Sequence, residues 1–169
     1  MKTMGLKTLR LVNPDVFPSE IATARASGAT DVLDGAEVFT TLQDALADCV
    51  YVVGSSARGR DFVGEVCDVR AASTKLVETT RQGKVAIVFG CEMSGLTNAE
   101  VGLCQTLAFI PSNPAYSSLN LGSAVQVFAY ELRVASGEID GQKAPEFQLA
   151  TQAEIEAMFV HMRAAMTEI

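Results

Sequence analysis

The sequence predicts an α/β protein with a parallel sheet and flanking helices. Three apolar runs, Val50–Gly54, Val85–Phe89 and Thr106–Ile110, have the length and composition of buried parallel strands. Each ends at or beside a glycine or proline, and helical patterns alternate with them through short connections. Gly90 and the helix-capping pattern Thr97–Glu100 follow the second run, which is typical of a loop that presents backbone N–H groups to a ligand.

Length and composition restrict the class of protein further. The 169 residues suffice for one domain with a real core, and 49% apolar against 20% charged residues excludes a disordered chain. No apolar run reaches the roughly 18 residues of a membrane span and no signal-peptide pattern opens the chain. We therefore expect a soluble, cytoplasmic protein with no membrane partner. The net charge of −7 means that a nucleic-acid partner needs a local basic patch.

Cysteine and histidine chemistry is largely excluded. The four cysteines, Cys49, Cys67, Cys91 and Cys104, are widely spaced and form no C-x-x-C pair, which argues against disulfide and metal roles. The single histidine, His161, lies in an acidic helical stretch near the C-terminus. We expect no metal site and no histidine-dependent catalysis.

The first part of the chain is predicted to contain short elements. Met1–Gly5 has the pattern of a last helical turn with a glycine cap. A strand, a helix, a strand and a helix are then predicted, in this order, at Thr8–Val12, Pro18–Ser27, Val38–Thr40 and Thr41–Leu46. Residues 61–70 show no clear period and are predicted to be irregular, and a helix is predicted from Ala71 to about Gln82.

The second half is predicted to be mainly helical. A loop over residues 112–118 leads into a long amphipathic helix, Leu119–Ala135, with Ser117 or Ser118 as its expected N-cap. The predicted organisation is a domain over residues 1–136, a polar linker over 137–150 and a C-terminal helix over 151–169. The C-terminal helix has one apolar face, for which packing is the simplest explanation: Ile155, Met158, Phe159 and Met162.

Three loops follow the predicted buried strands: Ser55–Arg60, Gly90–Leu96 and Ile110–Leu119. In a parallel sheet they meet at the carboxyl edge, where ligands bind. Small residues permit close backbone approach, and the polar side chains available are Ser55, Ser56, Ser117, Ser118 and Asn120. This composition favours an uncharged or cationic ligand. Neither glycine-rich phosphate-binding motif occurs in the sequence.

Two features of these loops have alternative explanations. Glu92 could have a functional role at the site, or it could only cap a loop by accepting hydrogen bonds from nearby N–H groups. Arg58 and Arg60 could contact an anionic partner, or they could be ordinary solvated surface side chains.

Three motifs together resemble a known family. They are the V-F-G-x-E-x-x-G-L loop beginning at Val88, the strand that ends in Ile110-Pro111, and the Ser117–Leu121 segment that opens a helix. This combination resembles the SpoU branch of the SPOUT RNA methyltransferases. Leu11–Pro14, Val53–Arg58 and Asn113–Leu121 are similar to the TrmJ subgroup, and the likeness covers nearly the whole chain.

The resemblance implies a homodimer with a C-terminal trefoil knot, which is an exception to the usual absence of knots. It implies S-adenosylmethionine as cofactor, with S-adenosylhomocysteine as product, and ribose 2′-O-methylation of tRNA, at the start of the anticodon loop, or of rRNA. The implied cofactor contacts are Ser55, Ser56, Ala57, Gly90, Ile110, Ser117, Ser118 and Leu119. Glu92, Ser118 and Asn120 match supporting catalytic positions, and Arg58 and Arg60 are the expected RNA contacts.

The sequence departs from the family at its first motif. The family's N-x-G-x-x-x-R, with the arginine proposed to activate the ribose hydroxyl, would lie just before Met1–Gly5. A late start codon, an expressed fragment or a natural variant would each explain its absence. The expectation is cofactor binding of weak to moderate strength with activity close to zero, because the oxygen nucleophile loses its base.

Two other functions stay open. One is a non-catalytic knotted dimer that binds RNA or another partner. The other, weaker alternative is a nucleotide-binding domain of Rossmann type, disfavoured because the glycine fingerprint is absent.

Overall fold

The structure is a computed structural model that describes residues 1–57, 62–137 and 152–167, without the side chains of residues 152–155. The chain divides into two units, Met1–Ile139 and Asp140–Ile169. The second unit contains one described helix. The predicted linker over 137–150 lies almost entirely outside the described residues.

The first unit is built on parallel strands, as predicted. They are β1 Arg10–Val12, β2 Glu37–Phe39, β3 Cys49–Ser55, β4 Glu65–Asp68, β5 Lys84–Val88 and β6 Thr106–Phe109. Four of them form a sheet in the order β4-β6-β3-β5, and β1 pairs with β2 in a separate two-stranded sheet. Every strand pair is parallel, which confirms the predicted α/β class.

Most of the described helices begin at a residue whose side chain caps them. They are α1 Glu20–Ala26, α2 Thr30–Asp34, α3 Leu42–Leu46, α4 Val69–Thr79, α5 Asn98–Val101, α6 Leu121–Ala135 and α7 Gln152–Thr167, with short 3-10 turns at Lys2–Met4 and Ser27–Ala29. Thr41 caps α3, and Thr97 with Glu100 forms the predicted reciprocal capping box of α5. In the described part of the chain no helix is long and apolar enough to cross a membrane.

The prediction of irregular structure for residues 61–70 is wrong. Strand β4 occupies Glu65–Asp68, and Asp68 then starts α4 two residues earlier than predicted. The Asp68 carboxylate accepts the N–H groups of Arg70 and Ala71, at 2.9 and 3.0 Å. Because β4 is a four-residue edge strand with an acidic residue at each end, its apolar content is too small to show a period.

Strand β3 is central and buried on both faces. Tyr51 and Val53 pack on one side of the sheet in a cluster with Leu76 of α4 and Phe128 of α6. Val52 points to the other side, where its cluster contains the loop residue Leu96 and others from α5 and β6. The alternation along β3 therefore fixes which helices cover which face.

Strand β5 is less buried than its sequence predicts. Only Val88 is fully buried, whereas Val85, Ala86 and Ile87 are half-buried. The cause is position, since β5 is at the edge of the four-stranded sheet and pairs only with β3. The residue that follows β5 is nevertheless anchored, because the Phe89 ring packs edge-on against the Phe128 ring, with 5.3 Å between the ring centroids.

One carboxylate links the two sheets. Asp48, just before β3, accepts hydrogen bonds from Arg10 of β1 and from Lys84 of β5, the latter at 2.8 Å. The Arg10 guanidinium also pairs with Glu37 of β2 and lies over the Phe39 ring. Hydrogen bonding to Arg10 holds the pKa of Asp48 far below its usual range.

Helix α7 agrees with the predicted C-terminal helix. Met158, Phe159 and Met162 of its apolar face are about half exposed. The side chain of Ile155 lies outside the described residues, and packing of this face stays a prediction.

Candidate functional site

The carboxyl ends of β6, β3 and β5 lie side by side, because these strands are neighbours and parallel. The loops that follow them enclose one cleft. It is lined by Ser55, Ser56, Ala57, Phe89, Gly90, Cys91, Glu92, Met93, Ser94, Gly95, Leu96, Ile110, Ser117, Ser118, Leu119, Leu121 and Ala124. The structure thus brings together all eight residues predicted to contact a cofactor, and their role as contacts stays a prediction.

The first loop continues β3 without a break. The N–H of Ser56 donates to the carbonyl of Ala108 at 3.0 Å, so the backbone enters the cleft still paired to β6. Arg58 and Arg60, the predicted RNA contacts, lie outside the described residues.

The second loop is a tight turn closed on itself. The N–H of Gly95 donates to the carbonyl of Cys91 at 2.8 Å, and the two residues form an isolated antiparallel bridge. Gly90 lies so close to the returning chain that a Cβ there would be 2.0 Å from the carbonyl carbon of Gly95. Gly95 itself has φ +67°, a conformation that only glycine adopts readily. Gly90 is therefore favoured by lack of space and Gly95 by its backbone conformation.

The third loop is shaped by local hydrogen bonds. Asn113 accepts the N–H of Ala115 on its side-chain oxygen and the N–H of Tyr116 on its carbonyl, at 3.0 and 2.9 Å. The Ser112 hydroxyl donates to the carbonyl of Ser117 at 3.1 Å. These bonds fix the backbone of the segment that lines the cleft.

Glu92 connects the second loop to the start of α6. One carboxylate oxygen accepts the N–H of Leu121 at 2.7 Å, and the other accepts the side-chain amide of Asn120 at 3.3 Å. A carboxylate at this end of a 15-residue helix also opposes the positive end of the helix dipole. The structure shows the capping contact of Glu92, and the supporting catalytic roles of Glu92, Ser118 and Asn120 stay predictions.

The expected N-cap of α6 is wrong. Asn120, not Ser117 or Ser118, caps the helix by accepting the N–H of Ser123 at 3.3 Å. Serine and asparagine side chains are equally good helix caps, so the sequence alone did not show whether Ser117, Ser118 or Asn120 caps the helix. The correction leaves Ser117 and Ser118 in the cleft lining.

The cleft can accept an apolar or cationic ligand. Among the described residues that line it, Glu92 is the only charged side chain, and none is a lysine or arginine. Leu96 is buried beneath it beside Cys104, whose thiol has its pKa raised to about 11 by burial. Among the described residues no group of three or more histidine, cysteine or acidic side chains is placed to hold a metal ion.

Residues 1–130 match the SpoU rRNA Methylase family. The chain belongs to this family. The predicted assignment to the SpoU branch, and within it to the TrmJ subgroup, is confirmed.

The relatives include proteins that are named as tRNA methyltransferases. The tRNA (cytidine/uridine/adenosine-2′-O-)-methyltransferase TrmJ of Pseudomonas aeruginosa is 43% identical over 180 residues, which cover 100% of this chain and 70% of that protein. The tRNA (cytidine/uridine-2′-O-)-methyltransferase TrmJ of Cronobacter sakazakii is 51% identical over 135 residues, covering 80% of this chain and 55% of that one. The crystal structure of TrmJ from Z. mobilis ZM4 has a TM-score of 0.75 at 38% identity, covering 99% of this chain and 70% of that chain.

Sequence reasoning missed part of the site. Met93, Leu121 and Ala124 line the cleft without having been predicted. Met93 had a signal, since it lies inside the predicted loop. Leu121 and Ala124 line the cleft because the first turn of α6 lies against it. No local sequence pattern shows where a helix packs.

Proposed function

We propose that this chain is the catalytic domain of an S-adenosylmethionine-dependent ribose 2′-O-methyltransferase acting on tRNA. The observation that carries the proposal is the cleft at the carboxyl edge, where three separate loops bring all eight expected cofactor contacts together. The activities of the TrmJ relatives support the same reaction.

The cleft fits S-adenosylmethionine chemically. Aliphatic side chains such as Leu96 and Leu119 offer an apolar surface to a flat ring, while serine hydroxyls and backbone groups offer hydrogen bonds. The bound cofactor supplies a methyl group on a positively charged sulfur. No lysine or arginine is found among the described lining residues, so none of these side chains repels that charge.

The residues of this chain would position the reactants. Glu92 and Asn120 hold the start of α6 against the second loop, and this fixes Ser117–Leu119 beside the cleft. Transfer also needs the ribose oxygen held in line and its proton removed. The sequence contains no N-x-G-x-x-x-R motif to supply the family's arginine. We propose that methyl transfer by these 169 residues alone is orders of magnitude slower than by a chain that has the motif.

The substrate and assembly belong to the same proposal. Arg58 and Arg60 contact the RNA backbone, which gives the local positive charge that a chain of net charge −7 requires. The protein acts in the cytoplasm as a homodimer whose C-terminal segment forms a trefoil knot around the cofactor.

Calorimetric titration with S-adenosylhomocysteine tests the cofactor site. We expect saturable one-to-one binding per subunit that Leu119→Arg abolishes, because the new cation enters the cleft. Val12→Arg is the matched control, since Val12 has nearly the same exposed fraction, 37% against 36%, and does not line the cleft. Equal binding by both variants would refute the site.

A tRNA methylation assay tests the reaction. The chain is compared with a version that carries an added upstream N-x-G-x-x-x-R segment, and tritiated methyl transfer to unmodified tRNA is measured. We expect transfer to rise by orders of magnitude in the extended version.

The second candidate function is a non-catalytic RNA-binding dimer, which the absent arginine motif favours. It predicts tRNA binding by both versions and methyl transfer by neither.

A further inference from the structure

Two loops of the cleft each expose a large apolar side chain almost completely. Met93 is 95% exposed and Tyr116 is 83% exposed. Among the described large apolar side chains only Val63 is more exposed. Val63 lies at the opposite edge of the sheet. The residue after it, Gly64, lies close to the carbonyl of Gln105, and Gln105 directly precedes the first residue of β6. Met93 and Tyr116 are thus the two most exposed apolar side chains at the edge where the cleft opens.

The backbones that carry these side chains are held in place. Tyr116 is fixed by its N–H bond to Asn113, and Met93 lies in the turn closed between Cys91 and Gly95. Glu92, next to Met93, joins that turn to the start of α6. An apolar side chain that is exposed on an ordered loop beside a cleft loses its contact with water when a ligand covers it, and this favours binding.

We propose that Tyr116, together with Met93 of the Gly90–Leu96 loop, binds the base of the nucleotide whose ribose is methylated. The inference rests on the proposed function and adds the substrate-positioning surface. The ribose 2′-hydroxyl must reach the methyl donor inside the cleft, and the base is attached to the neighbouring ribose carbon. The base therefore lies next to the cleft, and Tyr116 directly precedes the Ser117–Leu119 segment that lines it.

The chemistry of the two side chains suits an unpaired RNA base. Single-stranded bases stack on aromatic rings, and tyrosine offers a flat apolar face with a polar tip. The methionine thioether makes favourable contacts with aromatic rings and adapts to their shape. Stacking does not depend on base-specific hydrogen bonds, so this surface would position the nucleotide without selecting one base.

A tryptophan reporter tests the contact directly. The chain contains no tryptophan, so Tyr116→Trp creates a single fluorophore at the proposed platform. Tyr130→Trp is the matched control, because Tyr130 is the other exposed tyrosine, 52% exposed on α6 and outside the cleft lining. With S-adenosylhomocysteine present, unmodified tRNA should quench the fluorescence at position 116 and leave position 130 unchanged.

Affinity measurements separate this inference from the proposed function. Tyr116→Ala should weaken tRNA binding by about fivefold or more, as loss of one stacked base does. Tyr116→Phe should bind like the parent, and neither variant should change the affinity for S-adenosylhomocysteine. Parent-like tRNA binding by Tyr116→Ala would overturn this inference alone. A loss of S-adenosylhomocysteine binding in Tyr116→Ala would overturn it by assigning the ring to the cofactor. Absence of tRNA binding by the parent would overturn the proposed function as well.

Discussion

Gly90→Ala tests the geometry of the cleft most directly. The added Cβ would lie 2.0 Å from the carbonyl carbon of Gly95, 2.3 Å from its oxygen and 2.3 Å from the N atom of Leu96. All three are backbone atoms, so no side-chain rotation relieves the overlap. The turn must open, and the hydrogen bond from Gly95 to Cys91 is lost or stretched.

The magnitude follows from the cost of overpacking, which is about 1–3 kcal/mol and belongs at its upper end here because backbone must move. At about 2–4 °C per kcal/mol for a domain of this size, the melting temperature should fall by roughly 6–12 °C. Affinity for S-adenosylhomocysteine should fall at least about tenfold, since one side of the cleft moves.

Gly95→Ala is the matched control for this prediction. A Cβ at Gly95 meets no atom within 4 Å, and its only cost is the positive φ, about 1–2 kcal/mol. Differential scanning fluorimetry and calorimetric titration on both variants give the comparison. If Gly90→Ala binds S-adenosylhomocysteine like the parent, close backbone approach does not shape the site and the reasoning is refuted.

Three further predictions concern charge and burial. Glu92→Gln should lower the free energy of unfolding by about 1 kcal/mol, because the N–H of Leu121 loses a charged acceptor, and an unchanged melting temperature would contradict the capping role. Burial raises the pKa of Cys104 to about 11, so the folded chain keeps a proton on this thiol that the unfolded chain releases near pH 9. The free energy of unfolding should therefore fall between about pH 9 and 11, and it should fall less in Cys104→Ala. Thermal melts of both proteins across this pH range would show the difference. Hydrogen bonding to Arg10 holds the pKa of Asp48 far below its ordinary value of 3.8, so the stabilisation by its carboxylate is present above pH 3.8 and is lost as the pH falls below it. Asp48→Asn should therefore have a lower melting temperature at pH 7, but its melting temperature should fall less than that of the parent between about pH 5 and 3. Parallel curves of melting temperature against pH for the two proteins would contradict a stabilising role of the Asp48 carboxylate.

The parts of the fold that the sequence predicts well are those with one strong local signal. Strand β3 is a continuous apolar run, and Thr97 with Glu100 forms a capping pattern that only a helix start uses. Strand β4 and helix α2 lack such signals. The first is four residues long with acidic ends, and the second, Thr30–Asp34, is a five-residue helix whose N-cap residue, Ala29, makes no side-chain hydrogen bond.

The candidate site was predictable because all strands of a parallel sheet have their carboxyl ends at the same edge, whatever their order. Once the strands are parallel, the ends of β6, β3 and β5 must share an edge. The contact from Glu92 to Leu121 was not predictable in this way, since it joins residues 29 positions apart. Nor does a local pattern say that β5 lies at a sheet edge, which is why its burial was overestimated.

The composition of the cleft has a consequence for how the site responds to mutation. Most of its lining consists of glycine, alanine, serine and aliphatic side chains, so the ligand meets backbone and small groups more than long polar ones. Removing one hydroxyl, at Ser55 or Ser118, deletes at most one neutral hydrogen bond, worth about 1 kcal/mol. Displacing the backbone at Gly90, or releasing α6 from Glu92, shifts several contacts together. The site should therefore tolerate single serine-to-alanine changes far better than changes that alter the course of its loops.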